Sequence, residues 1–160
     1  MNVSEKGRKF IKREEGLSVE VYADAGGMMT VGFGHLLTSE DEVGMKITLA
    51  EAEEFFDADI ASVEETLAKR VTTPLEQHQI DCVASFTFNL GAYNFKRSTL
   101  LKKINAREFD AVPHELGRWV YAGDQDGDGD VDSDDALRGL KGRRRREAAL
   151  FLRGEYGDLE

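Results

Sequence analysis

Apolar residues recur at helical spacing over most of this chain and alternate with polar residues in one short stretch only. The alternating stretch covers residues 19–24, and an apolar-rich segment resumes at 28–33 after a turn that contains Gly26 and Gly27. Alternation on both sides of a glycine-containing turn predicts a short β-hairpin. The pattern therefore predicts an α+β fold with a small β-hairpin lobe and a larger helical lobe.

Start and stop signals set the bounds of the first two helices. Residues 4–15 carry helix-forming side chains and are followed by Gly16, a residue type that favours the C-terminal cap of a helix. Thr48 and Glu51 have the spacing of a capping box, and the helical pattern behind them continues to about Arg70. This second helix is long enough to connect the two lobes.

The second half of the chain contains further helical segments. Thr73, Pro74 and Glu76 repeat the start signal, with proline expected at the first helical position, and an apolar run follows as far as Gly91. This helix is apolar on most sides, which is typical of a buried central helix. Helices are also predicted at residues 98–105, at 108–121 with Pro113 limiting the helix, and at 133–153.

The composition is that of one compact domain. With 160 residues, 41% of them hydrophobic, the chain can form a single core and is too short for two ordinary domains, so we expect one domain over residues 1–160. We expect no membrane insertion, because the chain contains neither an apolar run of transmembrane length nor the apolar stretch of a signal peptide. The lone Cys82 is expected to be a small buried side chain without a disulfide, which suits a reducing cytoplasm.

The net charge of −10 comes mostly from one segment of the chain. Residues 124–135 contain seven aspartates and no basic residue, whereas the rest of the chain has 21 basic and 24 acidic residues. The basic run at residues 143–146 resembles a nucleic-acid patch, but neighbouring residues on one helix point in different directions. We therefore expect no nucleic-acid partner.

Three residues around the predicted hairpin have the side chains that glycoside hydrolysis requires. Glu15, Asp24 and Thr30 are separated by eight and by five residues. Hydrolysis needs one protonated carboxyl beside the leaving oxygen and a second carboxylate that acts on water or on the sugar. Glu15 lies at the negative end of a helix dipole, which favours the protonated form, whereas Asp24 opens a solvated turn. Thr30, on the return strand, is placed to hold the attacking water together with Asp24.

The segment REEGLSVEVYADAGGMMTVGFGHLLT closely resembles the catalytic segment of the phage-type lysozymes, the endolysins of glycoside hydrolase family 24. The pattern of that family is Glu, eight residues, Asp or Cys, five residues, Thr, and then a Gly-x-Gly-His ending. The resemblance continues through QIDCVASFTFNLGAYNF, STLLKKIN, Arg118-Trp119 and a terminal signature of Gly139-Leu140, Arg143-Arg144 and Glu147. It covers nearly the whole chain apart from the aspartate-rich segment.

The resemblance implies a muramidase that cuts the β-1,4 bond between N-acetylmuramic acid and N-acetylglucosamine in peptidoglycan. It also implies a two-lobed lysozyme-like domain joined by a long helix. By this resemblance Glu15 is the general acid, and Thr30 positions the water. Asp24 is the carboxylate that activates water or stabilises positive charge at the anomeric carbon. Glu14 is excluded because it breaks the eight-residue gap.

Substrate contacts and biological setting are implied by the same resemblance. Three residues fall where the family lines its saccharide cleft: Leu36, Phe88 and Ser98. Arg143 or Arg144 is expected to turn toward the catalytic carboxylate, and His35 is expected to be structural, paired with a carboxylate or packed beside the cleft. The protein is expected to be a monomer that accumulates in the host cytoplasm and reaches the cell wall after a separate protein opens the membrane.

The aspartate-rich segment departs from the family, whose members usually have a short glycine-containing connection there. Its spacing is that of an EF-hand loop inserted at residues 124–135, and the expected calcium ligands are Asp124, Asp126, Asp128, Asp130 through its carbonyl, and Asp135. Gly129 occupies the sharp turn at position 6. Asp135 stands at position 12, where most such loops have Glu, and in this respect the segment resembles dockerin calcium loops, which also end in Asp. Because so many carboxylates repel one another, we expect this loop to bind Ca²⁺ in a structural or regulatory role.

Two other functions stay open on the sequence. A lytic transglycosylase would use Glu15 to cleave the same bond without water, although Asp24 and Thr30 argue against that reaction. A non-catalytic, calcium-dependent wall-binding module would not need Glu15 for its effect.

Overall fold

The computed structural model describes residues 1–24, 27–37, 44–121 and 138–159. Within these ranges the helices are α1 (Glu5–Glu15), α2 (Leu49–Arg70), α3 (Gln77–Arg97), α4 (Thr99–Asn105), α5 (Val112–Gly117) and α6 (Arg138–Arg153). The strands in the same ranges are β1 (Ser18–Ala23), β2 (Met29–Gly32) and β3 (His35–Leu36). The α+β architecture is the one expected, with the small sheet between α1 and the remaining helices.

The sheet is antiparallel in the order β1-β2-β3. Thr30 lies at its centre, because it pairs with Tyr22 on β1 and with Leu36 on β3. The predicted hairpin is confirmed, but β3 is an addition that the pattern did not predict. A strand of two residues is too short to show alternation, and the turn before it depends on Gly34 at a φ of 82°.

The first two helices begin and end where the local signals place them. The Ser4 hydroxyl accepts a hydrogen bond from the Gly7 amide at 3.0 Å, and Gly16 ends α1 with a φ of 70°. The capping box between Thr48 and Glu51 is present, and α2 runs from Leu49 to Arg70. These bounds are confirmed because they depend on contacts within one helical turn.

The start predicted for α3 at Pro74 is wrong. The helix begins at Gln77, with Glu76 as its N-cap and the Glu76 amide donating to Gln79 Oε1 at 3.0 Å. Pro74 belongs to the extended segment before this cap, so the capping interaction and not the proline sets the first turn. Gly91, with φ 81° and ψ 158°, breaks the helical backbone where the apolar run was expected to end, and a second helical stretch follows it as far as Arg97.

The segment predicted as one helix over residues 108–121 is divided. A short 3-10 turn covers Phe109–Ala111, and α5 follows over Val112–Gly117. Pro113 lies in the first turn of α5, where its missing amide hydrogen removes no helical hydrogen bond. The start predicted for the last helix at residue 133 lies outside the described residues.

The hydrophobic core joins the first three helices and the last one. Its fully buried side chains include Phe10, Ile11, Phe56, Ile60, Phe86, Leu150 and Phe151. Helix α2 packs against β2 and β3 and also against α3, so it connects the sheet to the helical lobe as expected. The buried Cys82 is also confirmed. No helix in the described ranges is long and apolar enough to cross a bilayer.

A buried aspartate ties both ends of the chain to α3. Asp81 is fully buried and accepts hydrogen bonds from the Ser4 amide at 2.9 Å, from Gln77 Nε2 at 3.0 Å and from the Tyr156 hydroxyl at 2.6 Å. The Ser4 hydroxyl is a further donor to this carboxylate. Burial and the bond to Asp81 raise the pKa of Tyr156 to about 12. Gly7 packs so closely that an added Cβ would lie 2.4 Å from the Asp81 carboxyl carbon.

Candidate active site

An open cleft of about 450 Å³ lies between the sheet and the helices α2 and α3. Its walls include Glu15, Asp24 and Thr30, so the three residues singled out from spacing share one cavity. Other polar residues along the cleft are Tyr22, His35, Asp59, Ser62, Thr66, Thr87 and Asn89. A groove with several polar groups along its length has the form expected of a site that binds a chain of sugars.

Glu15 is the last residue of α1, and its carboxyl is held from two sides. Oε1 lies 2.7 Å from Arg143 Nη2, and a Cβ added at Gly34 would lie 3.1 Å from Oε2. The left-handed backbone of Gly34 and its missing side chain therefore let the turn before β3 approach the carboxyl closely. The neighbouring Glu14 points elsewhere and forms a bidentate ion pair with Arg146, with both contacts at 2.7 Å.

The structure decides between the two arginines that were expected to face the catalytic carboxylate. Arg143 reaches Glu15, whereas Arg144 donates to Asn89 Oδ1 and lies 5.2 Å from the centre of the Phe86 ring. Arg143 is only 5% exposed. Burial disfavours its charged form, but the carboxylates of Glu15 and Glu147 outweigh this and raise the pKa of Arg143. The cation beside Glu15 is therefore permanent.

Asp24 and Thr30 are positioned by the hairpin. Asp24 follows β1, where its amide donates to the Met28 carbonyl and its Oδ1 accepts from the Met28 amide, both at 2.8 Å. These two bonds close the hairpin and fix the carboxylate at the cleft. Thr30 is buried in β2, and its hydroxyl donates to the Met28 carbonyl at 3.1 Å. The oxygen of that hydroxyl keeps the capacity to accept a hydrogen bond from water.

The structure places two of the three residues expected to contact substrate in the cleft and the third outside it. Leu36, with 52% of its surface exposed, and Phe88 line the cleft. Ser98 is not brought to this cleft, because it is buried at the start of α4. Its hydroxyl donates to the Phe95 carbonyl at 2.7 Å and accepts from the Leu101 amide at 3.1 Å. In this structure Ser98 is a helix cap.

His35 makes the contacts predicted for it, a pairing with a carboxylate and packing beside the cleft. Its Nδ1 lies 2.9 Å from Asp59 Oδ2, and its ring stacks on Phe55 at 4.5 Å between centroids. Asp59 itself was missed in the sequence, together with Ser62 and Thr66 on the same wall of the cleft. These three are spaced by about one helical turn each along α2, but most of that helix is exposed and polar, so no pattern in the sequence singled them out.

The predicted calcium ligands lie outside the described residues, as does the whole segment 124–135. Among the residues that the structure does describe, no group of three or more His, Cys, Asp or Glu side chains is arranged to hold a metal ion.

Comparison with known proteins gives consistent matches. The family described as phage lysozyme matches residues 12–147. The endolysin of Acyrthosiphon pisum secondary endosymbiont phage 1 is 39% identical over 152 residues, which cover 94% of this chain and 98% of that protein. The endolysin of Salmonella phage P22 is 35% identical over 95% of this chain and 99% of its own length. The structure of an endolysin from Escherichia coli O157:H7 phage FAHEc1 superimposes with a TM-score of 0.82 at 31% identity, covering 99% of this chain and 98% of that one.

Proposed function

The chain belongs to the phage lysozyme family and is a glycoside hydrolase, and we propose that it is a muramidase that hydrolyses peptidoglycan. The bond we assign is the β-1,4 linkage between N-acetylmuramic acid and N-acetylglucosamine. The observation that supports this proposal is the shared cleft of Glu15, Asp24 and Thr30, in which Arg143 fixes the orientation of the Glu15 carboxyl.

The three residues have separate roles in the proposed reaction. Glu15 donates its proton to the glycosidic oxygen as the bond to the leaving sugar breaks. Asp24 stabilises the positive charge that develops at the anomeric carbon or takes the proton of the attacking water. Thr30 accepts a hydrogen bond from that water and holds it near Asp24. The water oxygen and one of its protons end as the new hydroxyl at the anomeric carbon, and its other proton, released to Asp24 or to solvent, replaces the proton that Glu15 gave up.

The sugar chain is proposed to lie along the open cleft. Leu36 and Phe88 offer apolar surface to the faces of the sugar rings, and Phe88 also packs against the ring of Phe56 in the core. Ser98 is left out of the binding surface because its hydroxyl is used within α4. We propose that the protein works as a monomer, is held in the host cytoplasm until the membrane is opened, and then acts on the bacterial cell wall.

Analysis of the products distinguishes this reaction from transglycosylation. Digestion of purified peptidoglycan is expected to release muropeptides that end in a reducing N-acetylmuramic acid, because water adds across the broken bond. Mass spectrometry before and after borohydride reduction checks this. Products that are lighter by one water molecule and resist reduction would carry an anhydro ring and would identify a lytic transglycosylase instead.

We further propose that residues 124–135 bind Ca²⁺. The support is the sequence: oxygen-bearing residues stand at the ligand positions of an EF-hand loop, and glycine stands at the sharp turn. The segment joins the region after α5 to α6, the helix that carries Arg143. Bound Ca²⁺ would neutralise the crowded carboxylates and set how α6 is held, which makes its proposed role structural or regulatory.

Removal of calcium is expected to lower stability. With free Ca²⁺ at about 100 times its dissociation constant, the folded protein gains about 2.7 kcal/mol in unfolding free energy, and EDTA removes this gain. Thermal unfolding and lytic rate, measured in Ca²⁺ and in EDTA, check the effect. A combined Asp124→Asn, Asp126→Asn and Asp128→Asn variant should no longer respond to Ca²⁺, whereas Asp110→Asn should respond like the unmodified protein. A melting temperature and a lytic rate that are the same in EDTA and in Ca²⁺ would contradict the proposal.

A further inference from the structure

A fully buried carboxylate lies behind the catalytic glutamate and takes no part in the chemistry described above. Glu147, on α6, has no exposed surface. Its Oε1 lies 3.2 Å from Arg143 Nε and accepts a hydrogen bond from the Ser85 hydroxyl at 2.7 Å. Its Oε2 lies 3.2 Å from Arg144 Nε. This carboxylate is therefore surrounded by two guanidinium groups and a hydroxyl donor.

Arg143 connects this buried carboxylate to Glu15. The guanidinium uses Nη2 toward Glu15 Oε1 at 2.7 Å and Nε toward Glu147 Oε1 at 3.2 Å. Nη2 also donates to the Ser85 carbonyl at 3.2 Å. Arg143 is thus held between the Glu15 carboxyl at the cleft and the Glu147 carboxylate in the interior, and its positive charge faces both.

The proposed reaction creates an electrostatic problem at this point. Glu15 has to carry a proton before it can act as a general acid, yet its Oε1 lies 2.7 Å from the cation of Arg143. If Arg143 and Arg144 had no other counter-charge, ionisation of Glu15 would be the way to balance them. A second anion on the same guanidinium reduces this demand, because the two carboxylates share one positive charge.

We propose that Glu147 is a positioning residue that supplies this counter-charge, so that Glu15 keeps both its orientation and its proton at the working pH. The inference rests on the proposed function, in which Glu15 is the general acid. Burial raises the pKa of Glu147, but both of its oxygens lie 3.2 Å from a guanidinium nitrogen, and these two cations favour its ionised form. Glu147 does not line the cleft, so its effect passes through Arg143.

Other ionisable groups face these two carboxyls, and none bridges them as Arg143 does in the described structure. Those that line the cleft with Glu15 are Tyr22, Asp24, His35 and Asp59, and those around Glu147 are Cys82, Arg143, Arg144 and Arg146. His35 is paired with Asp59. Burial raises the pKa of the Cys82 thiol well above its usual value, so this group stays neutral.

The pH dependence of lysis tests the inference. In Glu147→Gln the neutral amide keeps the size of the side chain and can still accept from Ser85, but the counter-charge is lost. The alkaline limb of the pH-rate profile is expected to move to lower pH by roughly one unit or more, with a larger change in kcat than in KM. A Glu147→Gln, Arg144→Gln double variant removes one charge of each sign and should move the limb back toward its original position.

A matched control is available in α5. Glu115 is also a buried glutamate paired with an arginine, since it lies 3.0 Å from Arg118, but it does not contact the Arg143 group. Glu115→Gln should leave the alkaline limb in place even if it lowers the melting temperature. A Glu147→Gln protein that is folded by circular dichroism and loses activity equally at every pH would overturn the inference.

If Glu147→Gln does not fold, the Arg144→Gln single variant tests the inference in its place. It leaves Glu147 with one cation fewer, so the alkaline limb should move to higher pH, and an unmoved limb would overturn the inference. Failure of the proposed function has a different signature, because then the unmodified protein would not cleave peptidoglycan or Glu15→Gln would stay active. An inactive Glu15→Gln together with an unmoved limb in Glu147→Gln counts against Glu147 alone.

Discussion

Glu15→Gln is expected to lower the rate of peptidoglycan cleavage by about 10²–10⁴-fold, the usual contribution of a general acid. The amide keeps the shape of the side chain and leaves an oxygen beside Arg143, but it has no acidic proton for the leaving oxygen. Because Glu15 lies at the cleft and at the end of α1, the change should leave the core unaffected. Initial rates of turbidity loss on purified peptidoglycan, with the melting temperature as a check on folding, measure the effect.

Glu14→Gln is the control for this experiment. It makes the same chemical change one residue earlier, at a side chain that pairs with Arg146 and does not line the cleft. Arg146 is half exposed but the Glu14 side chain is only 3% exposed, so weakening that pair should cost about 1–3 kcal/mol of stability and should leave most of the lytic activity. If Glu15→Gln instead keeps full lytic effect, the protein acts as a wall-binding module and the assignment of a general acid fails.

The second large effect is expected for stability, at Asp81. Asp81→Ala removes the acceptor of the Ser4 amide, Gln77 and the Tyr156 hydroxyl, and it leaves a small cavity in the interior. Buried donors that lose their acceptor cost about 1–3 kcal/mol each, and water can reach some of these at the partly exposed chain ends. We expect a loss of about 3 kcal/mol in unfolding free energy, or roughly 6–12 °C in melting temperature.

A graded pair of variants checks the reason for this loss. Tyr156→Phe removes one donor and keeps the carboxylate, so it should cost about 1 kcal/mol. Gly7→Ala keeps every hydrogen-bonding group but places a methyl group against the Asp81 carboxyl, and it should also lower the melting temperature. Differential scanning calorimetry on all three proteins gives the comparison. An Asp81→Ala protein that melts within about 2 °C of the unmodified one would contradict this account.

The sequence was sufficient wherever the determining contact is local. Ser4 and Gly16 bound α1, and Thr48 and Glu51 start α2, because each signal acts within one turn of its own helix. The prediction was wrong where two local signals competed. Pro74 was expected to start α3, but the capping interaction at Glu76 sets the first turn of that helix. The catalytic candidates Glu15, Asp24 and Thr30 could be found in the sequence because they lie at the end of one helix and in the hairpin that follows it.

Contacts between distant parts of the chain needed the tertiary structure. The sequence could not choose between Arg143 and Arg144, because the choice depends on the rotation of α6 about its axis when it packs on α3. Ser98 resembled a substrate contact by position, but the packing of α4 buries it as a cap. Asp59 is an ordinary exposed-face residue in the pattern of α2 until the sheet is placed against that helix.

The sequence by itself determined the α+β class, the limits of the local elements and the trio of Glu15, Asp24 and Thr30, since these depend on backbone preferences and short-range spacing. Only the tertiary structure brought that trio into one cleft and placed Arg143 and Glu147 behind it. The physical reason is that burial and ion pairing act between side chains from opposite ends of the chain. Their energies depend on distances that no pattern along the sequence contains.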